Sequence, residues 1–146
     1  MPHVTLPVDR ILGPLIDISV RVTSARADAL KAAQKPVPPA VHLRALVDTG
    51  ASCCVLDPSV IDQLELSPTG QSSVHTPSTG ENAHQCFTYD VYLSLIHPEL
   101  KRNFQSIPVM QLELKAQGID ALIGRDVLSE CLMVYDGSEE TFSLAF

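Results

Sequence analysis

The sequence predicts a mainly β protein of one domain, and three observations carry that reading. Short runs rich in Val, Ile and Leu recur along the chain, some alternating apolar and polar residues with period 2. Eleven prolines and a 5% aromatic content punctuate those runs and leave little room for long helices. At 146 residues and 45% apolar content, the chain holds one domain with a real core and hardly two.

Taken in order, Pro2 to Leu6 is short and β-prone, and Leu15 to Val22 alternates as a half-buried strand does, with Pro7, Gly13 and Pro14 between them. Ser24 is placed to cap a short Ala-rich helix over Ala25 to Gln34, which Pro36, Pro38 and Pro39 end. Nothing in that helix is periodic enough to be core, so residues 24–40 read as a surface insertion between two strands. Val41 to Asp48 is the next strand, and Cys53 to Leu56 resumes it after a turn. Asp57 and Pro58 then open a short helix through Leu64, as N-cap and first helical residue.

Ser72 to His75, the polar turn Thr76 to Gly80, and Cys86 to Leu95 read as a β-hairpin with an exposed tip. Phe104 to Leu114 is a strand that Pro108 breaks, Ala121 to Ile123 a short apolar strand, and Arg125 to Cys131 a short helix. Leu132 to Tyr135, the turn at Asp136, Gly137 and Ser138, and Thr141 to Phe146 complete the chain.

The net charge of −7 argues against general binding to nucleic-acid phosphates. Five of the ten Lys and Arg residues lie between positions 21 and 44, which reads as a solvated basic segment ahead of a docking patch for an acidic partner. No apolar run approaches the length that crosses a bilayer, and the N-terminus lacks the pattern of a secretory signal. Cys53, Cys54, Cys86 and Cys131 show no CxxC spacing, so the expected setting is the cytoplasm, with reduced thiols.

The chemistry centres on Asp48. An Asp before Thr-Gly is ordinarily a turn residue that caps its own backbone amides. Here the run Ala45-Leu46-Val47 before it is apolar on both faces, so the carboxylate emerges from a core. Gly50 lets backbone N–H groups approach it, and Thr49 offers a hydroxyl to fix the turn. Further on, Ala121-Leu122-Ile123 stops abruptly at Gly124-Arg125-Asp126.

These two stretches, Asp48-Thr49-Gly50-Ala51 and the apolar strand ending in Gly124-Arg125-Asp126, resemble the two signatures of the retroviral-type aspartic peptidases, the retropepsins. Pro2 to Leu6 and Thr141 to Phe146 resemble the terminal strands that retropepsins interleave at a dimer interface. The resemblance implies a single-lobed, closed β-barrel-like acid-protease fold with two short helices, homodimeric. It implies Asp48 as the catalytic residue, with Thr49, Gly50 and Ala51 supporting the loop. Gly124, Arg125 and Asp126 are then structural.

The motif occurs once, and activating a water between two groups takes two carboxylates. One Asp48 per chain therefore implies a symmetric homodimer with its site on the two-fold axis. The tip residues Thr76, Pro77, Ser78, Thr79 and Gly80 fall where the family has its substrate-binding flap, although an ordinary exposed hairpin fits them equally; Ser52, next to the active loop, is grouped with them as substrate-binding. Ser52 stands where viral members often carry an acid that pairs with the later Arg. Arg125 is left to a backbone carbonyl or to an acid of the other subunit.

His84 and Cys86 are two apart, but His75 and Cys131 offer no convincing zinc spacing, so no metal or other cofactor is expected. Cys53 and Cys54 read as buried, inert thiols ahead of a redox switch. The expected function is an aspartic endopeptidase acting on extended peptides. The competing expectation is a β-rich dimeric peptide-binding or adaptor domain that keeps the fold without useful hydrolysis.

Overall fold

A closed ring of six strands forms the centre of the computed structural model, which describes residues 1–75 and 83–146. It grows from the alternating strand β2 (Gly13–Val22), which buries Ile16, Ile18, Val20 and Val22 and turns Asp17 to solvent. On one edge β2 pairs antiparallel with β3 (Val41–Val47), and on the other with β6 (His84–His97). Between them run β4 (Val55–Leu56), β7 (Leu100–Gln111) and β8 (Ala121–Ile123). β3 lies parallel to β8, β8 antiparallel to β4, β4 parallel to β7, and β7 antiparallel to β6, which closes the barrel.

Two extensions leave the ring. β5 (Gly70–Val74) pairs antiparallel with the start of β6. At the other end, β1 (His3–Asp9), β9 (Leu132–Asp136) and β10 (Thr141–Ala145) form a small antiparallel sheet with β10 in the middle. The barrel interior is filled by β-branched and Leu side chains, among them Ile18, Val20, Val91, Leu93 and Ile123, all at most 1% exposed. Each such side chain contributes about 1.5–3 kcal/mol on burial. A second cluster, built on Val55, Cys86, Met110, Leu114 and Ile119, lies under partly exposed Leu46, Val74, Leu112 and Leu122.

Three α-helices among the described residues decorate the barrel: α1 (Ser24–Ala32), α2 (Pro58–Gln63) and α3 (Arg125–Leu128). α1 buries no side chain. Its cap is Thr23, not the expected Ser24. Thr23 has the extended ψ of 156° and its Oγ1 accepts from Arg26 N at 3.2 Å, whereas Ser24 is already helical. No helix among the described residues is long and apolar enough to cross a membrane.

Several expected boundaries move. β1 continues past Leu6 to Asp9, whose Oδ1 accepts from Ile11 N and Leu12 N at 2.9 and 2.8 Å and turns the chain into β2 at Gly13, φ +99°. Pro108 does not break β7: the strand meets β4 only at Met110 and Gln111, so the proline takes no bond away from that neighbour. β4 begins at Val55 and not at Cys53, because Cys54 N donates to the Asp126 carboxylate and not to a strand.

α3 ends at Leu128, short of the expected Cys131. The two terminal strands pair with each other within the chain, from His3 opposite Ala145 to Pro7 opposite Thr141. The expected hairpin is present as β5 and β6, and its tip lies outside the described residues.

Asp57 is the one buried charged side chain among the described residues, at 2% exposure. It caps α2, with Oδ1 accepting from Ser59 N at 3.0 Å and Ser59 Oγ at 2.7 Å. Its Oδ2 accepts from Leu114 N and Lys115 N, both at 3.0 Å, so it also ties the helix to the chain just before β8. Burial pushes this carboxyl up, but the four hydrogen bonds outweigh burial and bring its pKa down to about 2.

Replacing Asp57 by Ala leaves those amides without a partner and is expected to cost about 3 kcal/mol in urea unfolding at pH 7. Because the folded pKa is depressed, the stabilisation is present above the ordinary carboxyl range and is lost as pH falls towards about 2. The gap between wild type and Asp57→Ala should therefore narrow between pH 4 and pH 2, and a gap that does not change with pH would refute this role.

Candidate active site

Asp48 is the residue at which β3 leaves the sheet. Val47 pairs with Ile123 in the parallel β3–β8 ladder, and the Asp48 backbone N–H donates to Ile123 O at 2.9 Å. The chain then turns within three residues. Gly50 N donates to Asp48 Oδ1 at 2.8 Å, and Ala51 N to Asp48 O at 3.2 Å. A Cβ on Gly50 would sit 3.1 Å from that carboxylate oxygen, so glycine gives the amide its close approach. Thr49 is exposed, and its hydroxyl makes no hydrogen bond among the described residues; the Asp48 carboxylate fixes the turn instead.

The second stretch grips the first. Arg125 N donates to Ala51 O at 2.9 Å, and Arg125 Nη1 donates to Thr49 O at 2.9 Å and Gly50 O at 3.3 Å. Asp126 Oδ2 accepts from Cys54 N at 2.9 Å, while Oδ1 accepts from the Cys54 thiol at 3.2 Å and from Val127 N at 2.9 Å. Burial, and then the neighbouring Asp126, pushes the Cys54 thiol well up; the same two causes raise Cys53. Both thiols stay protonated at neutral pH.

Gly124 is what allows this grip. A Cβ there would lie 2.5 Å from the carbonyl carbon and oxygen of Cys53, so the two backbones touch where any other residue would force them apart.

A cavity of about 660 Å³ opens beside Asp48. Its floor is apolar, from Leu46, Leu112 and Leu122, and Gln111, Glu113 and His84 supply polar groups. The buried Tyr89 hydroxyl donates to Gln111 Oε1 at 2.7 Å, which fixes the orientation of that amide. The structure thus brings Asp48, Thr49, Gly50 and Ala51 together with Gly124, Arg125 and Asp126. Ser52 is exposed and does not line the cavity. Thr76, Pro77, Ser78, Thr79 and Gly80 lie outside the described residues.

Sequence reasoning missed Gln111, Leu112 and Glu113. They lie at and just beyond the end of β7, and no local signal marks them as lining a cavity formed with residues 46, 48 and 122. Among the described residues, no group of three or more His, Cys, Asp or Glu is placed to hold a metal ion.

A family model described as "Aspartyl protease" matches residues 40–127, a span that contains both stretches. Among solved structures, a retropepsin-like aspartic protease from Rickettsia conorii aligns with a TM-score of 0.59 at 15% identity, over 97% of this chain and 89% of that one. The retroviral protease-like domain of Ddi1 from Leishmania major aligns over 85% of this chain and 82% of that one, with a TM-score of 0.41 and 11% identity. EIAV protease complexed with the inhibitor HBY-793 aligns over 61% and 76%, with a TM-score of 0.38 and 18% identity. No curated protein matches the sequence. The rickettsial structure shows that the six-stranded barrel with its few short helices is the retropepsin-like fold.

The Gly124 contact makes a prediction. Gly124→Ala should lower stability by about 2 kcal/mol in urea unfolding, the usual scale for forcing extra carbon into a packed site. Gly137→Ala, where a Cβ would meet the Tyr135 ring at an ordinary 3.7 Å, should cost far less. Equal effects from the two substitutions would contradict the close approach.

Proposed function

This chain belongs to the aspartyl protease family, and from that premise we propose that it is an aspartic endopeptidase whose site is built from the Asp48 residues of two identical chains. The observation that carries the reading is the position of Asp48. It sits half-buried at the wall of the cavity, with Oδ1 held by Gly50 N and its loop gripped by Arg125. A carboxylate locked on a rigid loop and open to a cavity is arranged to act on something bound there.

The chain carries the Asp-Thr-Gly motif once, so a second carboxylate comes from a second copy across a two-fold axis. Two carboxylates about 3 Å apart repel by roughly 5 kcal/mol at an effective dielectric near 20, and one proton held between them relieves that repulsion. Two carboxylates sharing a proton is the established behaviour of aspartic proteases. The ionised Asp48 takes a proton from a water, whose oxygen adds to the substrate carbonyl. The protonated Asp48 gives its proton to the carbonyl oxygen. The Asp48 that took the proton from water passes it to the amide nitrogen as the C–N bond breaks, the other Asp48 recovers its proton from the diol as the carboxyl product forms, and no covalent intermediate forms.

The substrate is an extended peptide. Strand addition beside the cavity supplies main-chain hydrogen bonds, and the cavity takes side chains. Val74 and His84, which pair at the described end of the β5–β6 hairpin, both line the cavity and support a role for the hairpin in covering the peptide. Arg125 and Asp126 position the loop.

The test is digestion of an unbiased peptide library between pH 4 and pH 7. The wild type should cleave, a statine-type inhibitor should block it, and Asp48→Asn should lower kcat/KM by about a thousandfold, within the usual range for removing a general acid–base. A wild type that cleaves nothing at any pH in this range would sink the proposal.

A further inference from the structure

The cavity beside Asp48 carries a pattern of its own. Leu46 and Leu122 are Cα partners in the parallel β3–β8 ladder, and with Leu112 they pack on the second core cluster while staying half-exposed to the cavity. Apolar side chains held open in this way offer a seat for another apolar group. Gln111 is oriented by Tyr89 through its Oε1, which turns the N–H₂ end of the amide away from that hydroxyl.

The charge at the rim has one sign. Among the described residues, Asp48 and Glu113 line the cavity, and no Lys or Arg does. Glu113 is exposed and belongs to neither ion pair found among the described residues, which are Arg10–Glu140 and Arg102–Glu130. Asp48 Oδ1 is occupied by Gly50 N, whereas Glu113, among the described residues, is a rim carboxylate with no hydrogen-bond or ion-pair partner. A net charge of −7 adds a background field that favours cationic ligands.

We propose that Glu113 is a specificity-determining residue, which selects a lysine or arginine in the substrate next to an apolar side chain seated on Leu46, Leu112 and Leu122. The preferred substrate is therefore a basic–apolar segment of an extended peptide. This rests on the proteolytic reading above, and its test is built to fail separately from it.

Pairs of peptides are compared that differ only in Lys against Glu at one position within about four residues of the scissile bond, the reach of a cleft that binds an extended chain. The wild type should prefer Lys about fivefold in kcat/KM at one of these positions, the scale of a single partly exposed ion pair. Glu113→Gln should bring that ratio to about one, and Glu113→Lys should invert it.

A binding arm uses the Asp48→Asn protein and the same peptides, fluorescently labelled and read by anisotropy, with the Glu113 substitutions added. Discrimination in binding without cleavage by the wild type keeps Glu113 in its role and removes the protease reading. Cleavage with a Lys-to-Glu ratio near one at every position, or with a preference that survives both Glu113 substitutions, overturns the role of Glu113 and keeps the protease. Neither cleavage nor binding overturns both.

Discussion

The structure depends on the passage of β8 between β3 and β4, with Gly124 pressed against the backbone of Cys53 at its end. β8 is only three residues long, yet it pairs parallel with β3 on one side and antiparallel with β4 on the other. A strand so short is marginal by itself. It is secured by burial of Ala121 and Ile123 and by the bonds that follow it, Asp48 N to Ile123 O and Arg125 N to Ala51 O. The Asp48 loop is thereby held by a segment far along the sequence, through backbone groups that side-chain substitution leaves in place. The exposed pair of Arg10 with Glu140, by contrast, contributes at most about 1 kcal/mol.

Three aspartates near this junction differ in how far their oxygens are engaged. Asp57 uses both oxygens, accepting from the amides of Ser59, Leu114 and Lys115 and from the Ser59 hydroxyl. Asp126 also uses both, on the backbone of Cys54 and Val127 and on the Cys54 thiol. Asp48 has one oxygen committed to Gly50 N, and among the described residues no donor reaches the other. A carboxylate saturated with donors is a brace, whereas one half-engaged at the wall of a cavity has capacity left for a water or a substrate.

Local signals made much of this legible in the sequence. The alternation in β2, the Asp57–Pro58 start of α2, and the apolar run of β8 with its Gly124 stop each depend on neighbours a few residues away, and each appears where it was expected. The Asp48 turn was legible for the same reason, since Gly50 is two residues from the carboxylate it approaches. What escaped depends on partners distant in sequence. Asp57 read only as a helix cap, because nothing local announces that Leu114 and Lys115 will reach its second oxygen. Cys54 read as a strand residue until Asp126 claimed its amide, and Pro108 read as a break because the missing neighbour on that edge is a matter of sheet order. The cavity escaped entirely, being assembled from Leu46, Leu122 and the end of β7.

Subunit mixing decides whether Asp48 is half of a site completed by an identical chain. Wild-type chains are combined with Asp48→Asn chains at fixed total concentration, allowed to exchange, and assayed for peptide cleavage. If two Asp48 carboxylates are needed, activity falls as the square of the wild-type fraction, to about a quarter in an equal mixture. A linear fall, to about half, would mean that each chain works alone and would rule out a shared site.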